Sequence, residues 1–245
     1  MWQIFKLTWM RWREVPSRWV LGVSTATVLF LGIDVEDLAI LNPELLVERG
    51  ITAMLLFITL ETLFIYTLEI PKEINTGNLI VFLSRPISRG RYLFGKFCGL
   101  MALTITHLVI LMTLFVTCLT VKNDYLPLEF YWRMVQIGEL ALVVGSIGFM
   151  FSTCFSEILA TICTVAILAV GYTNFILPLL FKAMAGAGVS VLMLVFYYMT
   201  PNFQHFLHDV FPEPGIAMLA LLGYSLGYSA IFLTLGLVAF RRREF

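Results

Sequence analysis

Charge is what this chain has least of. Only 13% of its 245 residues are Asp, Glu, Lys or Arg, 60% are hydrophobic and the mean hydropathy is +0.90, whereas a soluble domain carries about 25% charge. That balance excludes a large soluble domain, and the chain reads as an all-α integral membrane protein with no expected nucleic-acid partner. Cysteine is scarce too. Cys98, Cys118, Cys154 and Cys163 all fall in or beside apolar runs, with no CxxC pair and no partner in a polar loop. They read as small buried hydrophobes, which sets aside a disulfide framework or a cysteine metal site. A secretory leader is missing as well: MWQIFKLTWMRWREVPSR has cations but no continuous apolar core followed by a small-residue cleavage site, so it is expected to stay in the mature chain.

Catalytic signatures are equally absent. Gly90 and Gly95 precede Lys96, but Phe97 follows and the residues between, RYLF, are bulky; GxxxxGK[ST] is not there to cradle a phosphate. ATP would have to be hydrolysed by another polypeptide or not used at all. HExxH is missing, and no two acids lie at i, i+3 or i+4 within one expected span, so an intramembrane protease or lipid transferase is not expected. The chain is expected not to be an enzyme and to bind no cofactor of its own.

What is present is a series of apolar runs too long for barrel strands. They predict six spans, 19–33, 51–68, 97–121, 134–151, 158–181 and 216–240, in one transmembrane domain covering 1–245. The first is short and must recruit 15–17 or lean on a snorkelling Arg18. Of the 16 Lys and Arg, all but Arg49, Lys122, Arg133 and Lys182 fall in the N-terminal stretch, the segment after the second span, or the tail Arg241, Arg242 and Arg243. By the positive-inside rule both termini and that segment are cytoplasmic.

Residues 183–199 are apolar too, but a seventh span there would carry the tail cations outside. The stretch 183–214 therefore reads as a re-entrant or interfacial element on the outer side, with Tyr197 and Tyr198 at headgroup depth and Pro201 breaking the helix. A long, tilted fifth span stays open. At the other end, Trp2, Phe5, Trp9 and Trp12 share one arc of a helix opposite Arg11 and Arg18, which predicts an amphipathic helix over 1–18 lying in the cytoplasmic interface; a helix docking on a partner is the alternative.

The segment 69–96 reads as a cytoplasmic loop with internal order: acids and a Pro-Lys-Glu start, a short apolar run NLIVFL and a basic turn SRPISRGRY. Residues 80–83 are too few to cross a membrane and need something to pack against. Its pattern, Glu73-(x)3-Gly77-(x)5-Leu83-Ser84-Arg85-Pro86-Ile87-Ser88-Arg89-(x)5-Gly95-Lys96, resembles the first cytoplasmic loop of ABC-2 type transporter permeases, the membrane subunits of bacterial ATP-binding cassette exporters. The amphipathic start, the short turn FSTCFSE, the segment YYMTPNF before the last span and the terminal FRRREF agree with it. The resemblance implies a permease in a bacterial-type cytoplasmic (inner) membrane, paired with itself or a similar chain. Two ABC ATPase subunits, which bind ATP and Mg, would drive it.

On that resemblance the loop is a coupling helix. Glu69 and Glu73 open it, Gly77 permits its turn, Ser84, Arg85, Pro86, Ser88 and Arg89 lie nearest the ATPase, and Gly95 with Lys96 begin the third span. The turn 152–157, bounded by Ser152 and Glu157, is the second coupling contact. An apolar run ringed by Arg suits burial on a partly acidic protein surface, although the same Arg residues would serve as topology anchors with no partner.

Ionisable groups at membrane depth are costly and mark candidate sites. Glu61, His107 and Glu139 fall in the second, third and fourth spans; with Pro201 and Asn202 they are the translocation-path candidates. Two readings stay open for them, a polar lining or ion-linked site, and hydrogen bonding between neighbouring helices. His205 and His208 beside Asp209 have a spacing that could share a helix face, but next to Phe206 and Leu207 they read as headgroup contacts rather than metal ligands. Gly186, Gly188, Gly223 and Gly227 suit close helix approach or a dimer contact. Two other functions compete with export: a membrane subunit that passes mechanical work to an extracytoplasmic partner or to lipid, and an ion-coupled transporter built on Glu61, His107 and Glu139.

Overall fold

The computed structural model describes residues 2–10, 43–79, 87–121, 128–174, 200–206 and 214–243. Among these the chain is helical, without a strand: α1 (Trp2–Met10), α2 (Pro43–Asn75), α3 (Arg89–Val121), α4 (Leu128–Cys154), α5 (Glu157–Thr173), a short 3-10 turn (Phe203–Phe206) and α6 (Pro214–Arg242). Four helices, α2, α3, α4 and α6, are long and apolar enough to cross a membrane, and α5 is a shorter apolar helix. The expected first span and residues 183–199 lie outside the described residues, as do Leu83, Ser84, Arg85 and Pro86.

The helices are sustained in apolar surroundings because their polar side chains turn back on their own backbones. Thr62, Thr67 and Thr164 donate to the carbonyls of Ile58, Leu63 and Ala160 one turn earlier, so these hydroxyl protons do not face hydrocarbon. α4 is the centre of the bundle and packs against α2, α3, α5 and α6. Three apolar clusters follow from that. One joins α2, α3 and α4 around Met54, Phe115 and Phe130. A second gathers Ile4, Tyr66, Tyr92, Phe97, Phe149 and Phe240 where α1, α2, α3, α4 and α6 meet. The third sets Phe203 and Phe206 against Leu140, Val144, Leu168 and Leu221, which carries the 3-10 turn inward to the middle of α4.

Two expected loops are shorter than their composition suggests. The span 51–68 and the loop 69–96 give way to helices that run on: α2 continues through Pro71 to Asn75, and α3 begins at Arg89. Glu69 and Glu73 are therefore helical, as are Gly95 and Lys96. α2 ends through Thr76 N–H to the Lys72 carbonyl and Gly77 N–H to the Ile74 carbonyl, with Gly77 at φ +70, a left-handed conformation that glycine adopts without a Cβ penalty. The expected turn 152–157 contracts to Phe155 and Ser156, with Ser152 inside α4 and Glu157 opening α5.

α1 docks on α3. Ile4 and Thr8 are buried, and a Cβ on Gly99 would stand 2.7 Å from Thr8 Cβ and 3.1 Å from the Phe5 carbonyl oxygen, so only glycine lets the two helices approach this closely. Trp2 stays 72% exposed and stacks on Phe5 at 5.3 Å. The helix thus has one face on the bundle and its aromatic edge outside, while Trp12, Arg11 and Arg18 fall outside the described residues.

Candidate functional site

The C-terminal ends of α2, α4 and α6 and the N-terminal ends of α3 and α5 come together on one end of the bundle, and long polar contacts bind them there. Arg89 Nη1 donates to the carbonyls of Arg241 and Arg243, each at 3.0 Å, and more weakly to that of Phe240. It therefore caps α6, whose last carbonyls have no partner within the helix and carry the negative end of its dipole. Arg243 Nη1 does the same for α4 by donating to the Thr153 carbonyl at 3.1 Å. Thr153 Oγ1 in turn donates to the Gly236 carbonyl on α6. Asn75 Nδ2 at the end of α2 donates to Glu157 Oε1 at the start of α5 (3.1 Å).

Beneath this layer lies an ionic cluster. Lys96 Nζ bridges Glu69 Oε1, at 2.5 Å, and Glu73 Oε1, and Tyr92 O–H donates to Glu73 Oε2. Lys96 and Glu73 have only 3% and 2% of their side chains exposed, and Glu69 16%. The geometry is helical on both sides: Glu69 and Glu73, like Tyr92 and Lys96, stand four residues apart, so each pair lies on one face of its helix. Burial this deep is tolerated because each charge has a partner of opposite sign and the second carboxylate oxygen has a hydroxyl donor.

The expected coupling residues thus divide. Glu69, Glu73 and Lys96 are brought together inside the bundle. Ser88 is the N-cap of α3, its Oγ accepting from Arg91 N–H at 3.4 Å while its carbonyl accepts from Tyr92 N–H; Ser and the N3 amide form the usual pairing there. Gly95 is buried on α3, and Ser152 is buried with its hydroxyl on the Phe149 carbonyl. Lys72, Arg91, Arg241 and Arg242 remain exposed on the same end.

The intramembrane candidates also separate. Glu61 and His107 meet, His107 Nδ1 against Glu61 Oε1, with side chains 3% and 1% exposed; they join α2 to α3. His107 Nε2 has no hydrogen-bond partner among the described residues. Glu139 stands apart on α4, both carboxyl oxygens unpartnered among the described residues. Pro201 is buried with its carbonyl oxygen close over Gly171, and Asn202 N–H donates to Tyr224 Oη at 2.6 Å. His205 lies half-buried, where loss of water holds its imidazole below the usual pKa.

Tyr92, Asn75 and Arg243 were not among the expected site residues. A signal for Tyr92 was present in the sequence, since Tyr92 and Lys96 repeat the four-residue spacing of Glu69 and Glu73 across the intervening loop. Arg243 meets Thr153 over a separation of 90 residues, and no local pattern announces such a contact.

No curated protein matches the chain. The family described as ABC-2 family transporter protein matches residues 35–245, a stretch holding the four long apolar helices found among the described residues and the basic end just described. The chain therefore belongs to the ABC-2 transporter family, as a multi-pass permease subunit of an ABC transporter whose partner is an ABC ATPase.

Proposed function

We propose that the chain couples ATP hydrolysis on separate ATPase subunits to export of a substrate across a bacterial-type cytoplasmic membrane. The basic end faces the cytoplasm, as the distribution of Lys and Arg requires, and two ATPases dock on it. The chain itself hydrolyses nothing; ATP and Mg belong to the partner. It works as two copies or with a similar permease, for which Gly223 and Gly227, open on the surface of α6, leave room for close helix approach.

The observation that carries this reading is the fastening of the basic end. A force on the short segment between α2 and α3 reaches α6 through Arg89, α4 through Arg243 and α5 through Asn75. Exposed Arg91, Lys72, Arg241 and Arg242 supply the charge that meets an acidic partner, while the buried Lys96 cluster keeps α2 and α3 moving as a unit. ATP-driven approach of the two ATPases then shifts the bundle between two arrangements.

Co-purification in mild detergent tests it. An ATPase subunit is expected with the wild-type chain and is expected to fall about tenfold or more with Arg85→Glu and Arg91→Glu, which reverse one charge before α3 and one in its first turn and leave Arg89 on its cap. Undiminished recovery with the double variant would remove the docking role. Orientation is checked separately in a background lacking the four native cysteines: a Cys at Arg242 should react with an impermeant thiol reagent only from the cytoplasm. Reaction from outside would reverse the topology. Stimulation of ATPase activity by a transported compound separates export from a purely mechanical role.

A further inference from the structure

α3 and α6 both pack on α4 and meet each other near the basic end, where Gly90 lies beside Leu237 and Arg241. Above that point they part, leaving a groove of about 1160 Å³ whose floor is α4. Its walls are almost wholly apolar, and its size is at the upper limit for sites that enclose drug-sized ligands. One carboxyl lies in the floor. Glu139 is 93% buried, near the middle of α4, with both oxygens unpartnered among the described residues. A carboxyl in such a place is costly unless something supplies a donor or a charge.

The other polar groups of the groove indicate what that something is. Ser229 Oγ donates to the Leu142 carbonyl on α4 (3.2 Å), Ser225 Oγ to the Leu222 carbonyl (3.0 Å) and Thr234 Oγ1 to the Ile231 carbonyl (2.8 Å). Each hydroxyl proton is already used, so these oxygens offer the groove only lone pairs. α4 and α6 run parallel, both ending at the basic end. Since Ser229 reaches Leu142, Ser225 one turn earlier stands level with Glu139. Tyr131 and Cys98 also line the groove, Tyr131 two turns along α4 from Glu139; at the depth of Glu139 itself the groove presents a carboxyl and the Ser225 acceptor, surrounded by hydrocarbon. A head rich in N–H donors and positively charged complements it; an anion or a carbonyl head does not.

We propose that this groove binds a lipophilic primary amine, its ammonium on Glu139 with Ser225 accepting a further N–H, and its apolar body along α3 and α6. That such an amine is cargo rests on the export reading above; the binding itself does not. The ammonium is held by a charge-assisted bond in a medium of low dielectric, where it is stronger than in water.

The test uses the permease alone in phosphatidylcholine nanodiscs, whose headgroups have no N–H, and monodansylcadaverine as a fluorescent primary amine. Saturable, blue-shifted binding is expected, weakened about tenfold or more in Glu139→Gln, which keeps the side-chain shape and removes the charge. Ala230→Trp, which fills the groove from the exposed side of α6 without touching Glu139, is expected to weaken it as much. The N-acetylated probe, with the ammonium removed, should bind wild type no better than the amine binds Glu139→Gln. Equal binding of the amine to wild type and Glu139→Gln, or of the acetylated probe and the amine, would overturn the proposal. Adding phosphatidylethanolamine identifies the source of the amine: competition makes a membrane lipid the resident, and its absence leaves a free amphiphile. Because no ATPase or nucleotide is present, a failure of ATPase co-purification would sink the export reading and leave the binding result intact, and the reverse holds equally.

Discussion

Lys96→Met is expected to destabilise the chain by about 3–5 kcal/mol, because it leaves Glu69 and Glu73 facing each other inside the bundle without their cation. The replacement has nearly the volume of the lysine stem, so packing around it is conserved and the loss is electrostatic. Adding Glu73→Gln should recover most of the stability. Tyr92 still has an oxygen to donate to, and the remaining carboxylate, Glu69, is the most exposed member of the cluster at 16%. Thermal unfolding in detergent reads the sequence of effects, with the single variant lower by on the order of 10 °C and the double variant close to wild type. A single variant as stable as wild type would mean that the cluster does not hold α2 to α3. The double variant should still recover the ATPase, since the exposed cations are untouched, but the loss of the two ion pairs of Lys96 should loosen α2 against α3 and lower transport per ATP hydrolysed.

That cluster also marks how far the sequence could be read. The four long helices follow from their apolar runs, because nothing else can satisfy a backbone in lipid. Their ends do not follow. Charge at Glu69 and at Lys96 reads as the edge of the membrane and therefore of the helices, yet a helix need not stop where the bilayer does. Here the charges are what lets α2 and α3 continue, since each finds its opposite on the neighbouring helix. The segment between α2 and α3 was singled out by its resemblance to the permease loop, and Gly77 in it has the left-handed backbone that follows the end of α2. Whether a given Arg faces a partner or a helix end depends on the rotation of its helix. Arg89 caps α6 while Arg91, two residues on, is exposed. Spacing alone separates the two by about 200° around an α-helix, but does not say which one faces inward. Likewise Glu61, His107 and Glu139 were recognisable as costly groups, but only the packing of α2 on α3 pairs the first two and leaves the third in a groove.

Replacing Glu61 and His107 together by apolar residues, Glu61→Met with His107→Leu, is expected to leave the protein folded and exporting, whereas His107→Leu alone should cost about 3–5 kcal/mol by abandoning a buried carboxyl. The difference decides between two roles for one pair. As a fastening between α2 and α3, the pair is replaceable by hydrocarbon of similar volume, and an exchange of this kind is often neutral or stabilising. As an ion-linked site it is not, since an ion in transit needs the carboxyl or the imidazole itself, and no packing substitutes for either. The geometry favours the fastening: both side chains are almost wholly enclosed, at 3% and 1% exposure. Transport by the double variant, measured in vesicles with and without ATP and with the proton gradient collapsed, gives the answer. ATP-dependent transport at wild-type level in a well-folded double variant assigns the pair to the scaffold. Loss of transport with stability and ATPase recovery unchanged would assign it to an ion path, and would make the ATPase-driven reading of this permease secondary to an ion-coupled one.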